Sequence, residues 1–444
     1  MNPSRRNFLK KSAIAASAIG SMSVIPEKIW ASGIPPSDKV NVALIGCRNM
    51  GFGILKHHLD TGMVNCLAMC DVDENVLNER AATVKNDYNQ SPELYKDYRK
   101  VLERNDIDSV IIGTPDHWHC LIMVDACQAG KDVYVEKPMA NTIGECNIMV
   151  KAANRYNRVV QVGQQQRDNK VFKDVMGLIK SGEIGNLRKV NIWANFDYGI
   201  GNFPVANSTV PEGVDYDFWL GPAPEHPFNQ NRFHGSWRHF WDYGGGLMSD
   251  WGVHLLDMGI WAGDLVEGPK TVITYANDLS KKVRQRDTFD TMNVLYPKKD
   301  YVINWDMTAG VQIGPFDSPY GVQFIGENAT IVADRHKYHL YPEWDGENDA
   351  PVVDEIVYEK GHESHRQHVH NFLECIKTRE KTSCPPEVGR AAALHAHIPN
   401  IAGRIGATVL EWDDENNRFT NNEKANELIM PEYRKPWKLP EVLI

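Results

Sequence analysis

VNVALIGCRNMGFG, Val40–Gly53, is the stretch that decides the fold. Its first half is a continuous apolar run closing on Gly46, the pattern of a strand buried on both faces of a parallel sheet. Its second half has helical spacing. A strand, a glycine loop and a helix are where a G-x-G-x-x-G dinucleotide fingerprint belongs, the middle glycine letting the backbone approach a pyrophosphate. Here Gly46–Gly51 reads G-x-R-x-x-G, with Arg48 in the middle position, so the loop is degenerate. Two features support it. The helix beyond the loop offers free N–H groups to phosphate. Asp71 stands twenty residues past Gly51, at the end of a second apolar run, VNCLAMCDVD. A carboxylate there accepts from ribose hydroxyls and repels a 2′-phosphate, which favours NAD over NADP.

Outward from this stretch, strands continue to alternate with helical segments: Ser109–Ile112, KDVYVEKP and RVVQVGQQQ are strand-like. Such alternation indicates βαβ units and a parallel sheet, predicting a Rossmann domain over 38–163. Beyond about residue 165 the pattern changes. LRKVNIWANFDYG, PKTVITYAND, DTMNVLYPK, DYVINWDMTAG and GVQFIGENATIVADR are strands with few helices between them, the mark of a mostly antiparallel sheet over 164–385. Residues 386–444 read as a helix followed by a polar, Asn-rich surface tail. The chain is thus α/β in two parts.

The 444-residue chain opens with SRRNFLK (Ser4–Lys10), a short apolar run and small residues near Ala31. This has the form of a signal peptide over residues 1–33, and its paired arginines match a twin-arginine signal. It predicts export to the periplasm, with the twin-arginine machinery as a partner. No apolar stretch is long enough for a membrane span and no cysteine follows the apolar run, so no stable membrane anchor is expected. Residues 1–33 sum to +4 within a formal charge of −10, leaving −14 on the remainder. That argues against a nucleic-acid partner. The eight cysteines form no CxxC pair and read as buried small apolar side chains. His362, His365, His368 and His370 lack a convergent further ligand, so no metal is predicted.

Two more stretches carry chemistry. VYVEKP places Glu136 and Lys137 at the C-terminal end of a parallel strand, the edge where ligands bind. GGGLMSDWGVHLLD spaces Asp250 and His254 four apart, on one helix face. A histidine can take a proton near neutral pH and a carboxylate can orient it. Asn229–Gly246 is rich in Trp, Arg, His and Asn, which suits a carbohydrate; Trp237, Arg238, His239 and Trp241 are candidates. Gln165 and Arg167, in QQQR, follow the Rossmann domain and are expected to reach the same cleft.

Together, the degenerate loop, TPDHWH (Thr114–His119), VYVEKP and GGGxxxDxGxHxxD resemble the Gfo/Idh/MocA oxidoreductases. DYDFWLGPAP (Asp215–Pro224), Trp237-Arg238 and YRKPWKL (Tyr433–Leu439) resemble a bacterial subset with twin-arginine signals. The resemblance implies a C-terminal α/β domain with a large open sheet, often used to form homo-oligomers. It implies a catalytic role for Lys137 and for the Asp250–His254 pair. It implies that Thr114, Pro115 and His119 lie along the nicotinamide and that Glu136 and Lys137 contact the cofactor, joining Gly46, Arg48, Asn49, Met50, Gly51 and Asp71. The expected reaction is oxidation of a sugar or glycoside hydroxyl with tightly bound NAD. His254 takes the proton, Lys137 steadies the oxygen and Asp250 holds His254 or the substrate. Alternatives are a glycoside hydrolase working through transient oxidation near C3, and a non-catalytic sugar or cofactor sensor. Export sharpens this: free NAD is not expected outside the inner membrane, so the cofactor must stay bound and be restored in place.

Overall fold

The structure, a computed structural model, describes residues 38–280, 283–361 and 364–444. The export signal predicted over residues 1–33, and His362, lie outside the described residues. Six strands build the first sheet: β1 (Val40–Ile45), β2 (Val64–Cys70), β3 (Glu93–Tyr95), β4 (Ser109–Ile112), β5 (Asp132–Val135) and β6 (Val160–Val162). Their order is β3-β2-β1-β4-β5-β6 and every pairing is parallel. This doubly wound order sets the switch point between β1 and β4, with a crevice outside their C-terminal ends. The edge strand β3 carries no apolar run and is not predicted from sequence; pairing with β2 makes it a strand.

Strands buried on both faces need helices on both faces. In chain order the helices are α1 (Asn49–Asp60), α2 (Glu74–Tyr88), α3 (Tyr98–Leu102), α4 (Asp116–Gln128), α5 (Ile143–Tyr156), α6 (Lys170–Lys180), α7 (Tyr216–Leu220), α8 (Val253–Ala262), α9 (His365–Thr378), α10 (Pro386–Ile405) and α11 (Glu423–Asn426). α9 returns from the far end of the chain onto α1: Val369, Phe372 and Leu373 share a core with Val42, Leu44, Ile54 and Leu55.

The second sheet comprises β7 (Lys189–Ala194), β8 (Thr271–Asn277), β9 (Thr291–Pro297), β10 (Val302–Thr308), β11 (Tyr320–Ile325), β12 (Ala329–Ala333) and β13 (Tyr338–Pro342). After a small hairpin, β14 (Trp344–Asp345) with β15 (Ala350–Pro351), it gains β16 (Ile356–Tyr358), β17 (Val409–Asp413) and β18 (Arg418–Phe419). The order is β16-β13-β12-β11-β7-β10-β9-β8-β17-β18, antiparallel except for β7 with β10. α6, α8 and α10 cover its inner face. The other face is open, with Tyr275 and Leu295 exposed on it.

The last forty residues do more than wrap the surface. β17 alternates V-L-E-W-D, buries Leu410 and Trp412, and extends the sheet beyond β8. Beyond it the tail docks on the Rossmann domain and on the turn after α7. Gly144 N–H donates to the Ile429 carbonyl at 2.7 Å, Tyr433 Oη donates to Glu145 at 2.6 Å, and Arg434 Nε donates to the Gly221 carbonyl at 3.0 Å. All eight cysteines are buried and unpaired. No described helix is long and apolar enough to cross a membrane.

Candidate active site

The C-terminal ends of β1, β2, β4 and β5 open into a cavity of about 420 Å³. At one end lies the glycine loop. Gly46 has φ +88°, which favours glycine, and its carbonyl oxygen lies only 2.2 Å from where a Cβ on Gly51 would stand. Gly113, at the end of β4, packs against both. Gly51 therefore does not line the cavity; it lets α1 seat tightly against the sheet. Arg48 caps α1 with φ −90° and ψ 156°, extended geometry that any residue adopts. The backbone path therefore does not demand glycine at this position. Arg48 lines the cavity, and its Nη1 is buried without a partner. Asp71 also lines it. Its carboxylate accepts from Cys47 N–H at 2.6 Å and Asp73 N–H at 2.9 Å, while burial pushes its pKa up to about 6.

These groups fit a dinucleotide. The N-terminus of α1 and the unpaired Arg48 would hold a pyrophosphate, and Asp71 would hold the adenosine ribose. Asn49, Met50, Thr114, Pro115 and Glu136 line the same cavity. His119 does not. It is buried behind, bridging the Thr114 and Pro138 carbonyls at 2.9 Å each, and it braces the loop rather than lining it. Glu136 is buried at the end of β5, which pushes its carboxyl up to about 7.

At the other end Lys137, Arg238 and Tyr198 converge on one carboxylate. Lys137 Nζ donates to the main-chain oxygen (2.9 Å) and Oδ1 (2.6 Å) of Asp250, Arg238 Nε donates to Oδ1 (3.2 Å) and Tyr198 Oη donates to Oδ2 (3.0 Å). Burial works against ionising Asp250, but the Lys137 and Arg238 charges override it and hold the carboxyl well below its usual range. Asp250 sits in a π-helical turn, Met248–Gly252, just before α8, and His254 follows in the first turn of α8. Asp250 does not orient His254, as the i, i+4 spacing suggested; its oxygens are taken by Lys137, Arg238 and Tyr198. His254 lines the cavity with Nδ1 buried and unpartnered. Burial, then Lys137 and Arg335, drive its pKa well below 6.5, which favours the unprotonated ring.

Of the predicted sugar contacts, Gln165, Trp237 and Arg238 line the cavity. Arg167 does not. It is locked in a buried bidentate pair with Asp257 (2.8 and 2.7 Å), a structural ion pair between the 3₁₀ turn Gln165–Asp168 and α8. Trp241 also faces elsewhere, packed against Phe289 and under Arg404. His239 is likewise absent from the lining. Sequence reasoning missed Asp116, Tyr198, Trp219, His234, Trp251, Arg335 and His365, all but Tyr198 being lining residues. Asp116 was within reach, inside TPDHWH; Arg335 sits in a turn with no local signal.

A strap over 210–240 closes the nucleotide end. Glu74 N–H donates to the Gly213 carbonyl and Asp215 N–H to the Val72 carbonyl, both at 2.9 Å, and His234 Nε2 lies 2.6 Å from Asp73. The motifs at 114–119, 215–224 and 433–439 meet here. Trp118 stacks on Phe218 at 5.5 Å, Trp437 packs edge-on against both, and Trp118 Nε1 donates to the Trp219 carbonyl.

Residues 40–164 match the family model described as oxidoreductase family, NAD-binding Rossmann fold. Residues 168–267 and 327–439 match its companion, oxidoreductase family, C-terminal alpha/beta domain. A glycosyl hydrolase family 109 protein of Shewanella pealeana is 30% identical over 204 residues, 42% of this chain and 45% of that protein; the match spans less than half of either. Among solved structures, levoglucosan dehydrogenase in complex with NADH superposes with a TM-score of 0.66 at 18% identity, covering 84% of this chain and 99% of that one. Aldose-aldose oxidoreductase from Caulobacter crescentus, complexed with glycerol, gives 0.63 at 17% identity over 84% and 99%. At such identities these two show the fold. With both of its domains matched in order, the chain belongs to the Gfo/Idh/MocA oxidoreductase family, an NAD-binding Rossmann domain joined to that family's C-terminal α/β domain.

Proposed function

We propose that the protein oxidises a hydroxyl carbon of a sugar or glycoside, in the periplasm, with NAD retained in the cleft. The observation that carries this reading is the convergence of Lys137, Asp250, Arg238 and His254 on the same cavity as the glycine loop, with Tyr198 bracing Asp250. NAD, when bound, supplies the hydride acceptor. Lys137 has three N–H donors and spends them on the main-chain and side-chain oxygens of Asp250, leaving one for a substrate oxygen. There it stabilises negative charge as it develops, which is worth most in a site that excludes water. His254, neutral and unpaired at Nδ1, takes the hydroxyl proton, a contribution on the order of 10²–10⁴-fold. Asp250 fixes Lys137 and Arg238 in place, and Trp237 and Gln165 hold the sugar against the reacting end.

Export by the twin-arginine route accounts for SRRNFLK. That route carries folded proteins, so NAD enters in the cytoplasm and travels with the protein. The strap over the nucleotide end supports retention, because release requires the Asp73–His234 clasp and the aromatic stack to part. The open face of the large sheet, bearing Tyr275, Leu295 and Val409, is the contact for a homo-oligomer.

A second reading is favoured by the family 109 relatives: glycoside hydrolysis through transient oxidation, with no net reduction of NAD. The test is mass spectrometry of purified protein for bound NAD, then a glycoside panel read for keto-sugar and for reduced nicotinamide. Keto-sugar with reduced nicotinamide supports oxidation; free aglycone with none supports hydrolysis. Loss of the cofactor on simple dialysis sinks the retained-NAD account.

A further inference from the structure

Arg335 lies in the turn between β12 and β13 and reaches the reacting end of the cavity. Its guanidinium stacks on Trp251, 4.3 Å from the ring centroid, with Tyr320 behind at 6.0 Å. Nε donates to Gln166 Oε1 at 2.9 Å, and Gln166 in turn donates to the His254 carbonyl at 3.2 Å. The arginine is thus held from behind by a neutral amide and two aromatic faces. Nη2 is buried and has no partner. A guanidinium with a buried, unpartnered nitrogen and no anion in contact is costly, and proteins seldom keep one for packing alone.

The charges around it point the same way. Arg238 and Lys137 share Asp250, and the Asp250 field also reaches Arg335 without contact. Asp116 is buried near Arg238 and Lys137, but desolvation pushes its carboxyl well up, toward the neutral form. In the proposed reaction Asp250 balances Arg238, and Lys137 answers the charge developing on the reacting oxygen. Arg335 is left over. With Nε committed to Gln166, its remaining N–H groups form the planar fork that suits a carboxylate. Arg48 and the α1 N-terminus at the opposite end already serve a pyrophosphate, so Arg335 is not needed there.

We infer that the substrate is an acidic sugar whose carboxylate is received by Arg335 beside Trp251. This rests on the reading of the site as a sugar-oxidising centre. A neutral sugar can accept a hydrogen bond from Nη2 but leaves the guanidinium charge unanswered, and a site built around an uncompensated charge discriminates against a ligand that cannot balance it.

The test compares, on NAD-loaded protein, methyl glycosides of a uronic acid, the corresponding uronamide and the corresponding sugar 6-phosphate. The expected kcat/KM for the acid exceeds that for the amide by about 100-fold or more. Arg335→Met, which keeps an apolar contact on Trp251, should cut the acid-to-amide ratio at least about tenfold, and Arg335→Lys should recover part of it. Bound NAD content confirms that each variant is folded. Equal turnover of acid and amide by the wild type, or an equal fall for both in Arg335→Met, overturns the proposal; preference for the phosphate overturns the carboxylate. If no sugar of any charge is oxidised, the sugar-oxidising reading fails on its own. Calorimetric binding of the acid against the amide to NAD-loaded protein then decides the anion site separately, acid binding abolished in Arg335→Met supporting it and no preference overturning it.

Discussion

At the nucleotide end of the cleft the protein works through its backbone; at the reacting end it works through side-chain charge. Gly46, Gly51 and Gly113 pack main chain against main chain, and Asp71 is positioned by two amides. What matters there is the path of the chain, so Arg48 can stand where a glycine is usual. At the reacting end, Lys137, Arg238 and Tyr198 are held by one carboxylate, and Arg335 by none. What matters there is which charges are paired. Three arginines make the contrast plain. Arg167 is buried and paired on both sides by Asp257, and it is architecture. Arg48 and Arg335 each keep a buried nitrogen without a partner, one at each end of the cavity. An unpaired buried donor that also lines the cavity is what sets these two apart from Arg167.

The strongest break in this comparison is Lys137→Met. Turnover should fall by about 10³-fold while NAD content is retained, since the lysine belongs to the charged end alone; an unchanged rate would sink its assignment. Arg167→Met should cost about 3–5 kcal/mol of stability by stranding Asp257 in the interior. Thermal or urea unfolding reads that loss, and KM for sugar should stay put; a large rise in KM would return Arg167 to the substrate site. His234→Ala should loosen the strap and speed NAD release by about tenfold, as loss of one partly buried charged hydrogen bond of about 1.5 kcal/mol predicts. Stopped-flow chase with excess unlabelled cofactor measures it, and no change would show that the Asp73–His234 contact does not hold the strap. The smallest effect is in pH. A base acts unprotonated, and the His254 pKa is driven well below 6.5, so its acid limb moves to lower pH. Activity should change less than about twofold between pH 8 and 6.5. A limb at 6.5 itself would mean that the ring is not desolvated in the working enzyme.

Much of this protein is local and was legible as such. An apolar strand closing on a glycine, a carboxylate ending the next strand, and a lysine before a proline are patterns within a few residues. Their meaning follows from strand periodicity and from the rule that ligands bind at strand C-termini. Lys137, Asp250, His254, Arg48 and Asp71 are in the cavity for that reason. β17 alternates like any strand, yet five residues amid Asn and Glu do not declare themselves; pairing with β8 and burial of Leu410 and Trp412 decide them.

Chain order cannot say which buried charges meet. Arg167 and Arg335 both sit near apolar segments, and nothing in their neighbours assigns one to Asp257 and leaves Nη2 of the other without a partner. The role of Asp250 changed for the same reason: its partners Lys137, Tyr198 and Arg238 come from three separate segments. So did the place of DYDFWLGPAP and YRKPWKL, which close a strap through Trp118, Phe218 and Trp437. The sequence by itself determined the two-domain frame, the cofactor class and several residues of the cleft, Lys137, Asp250 and His254 among them, because these follow from hydrogen-bonding periods and short motifs. Only the tertiary structure decided charge pairing and enclosure, because the energy of a charge is set by every group that surrounds it, and most of those are distant in the chain.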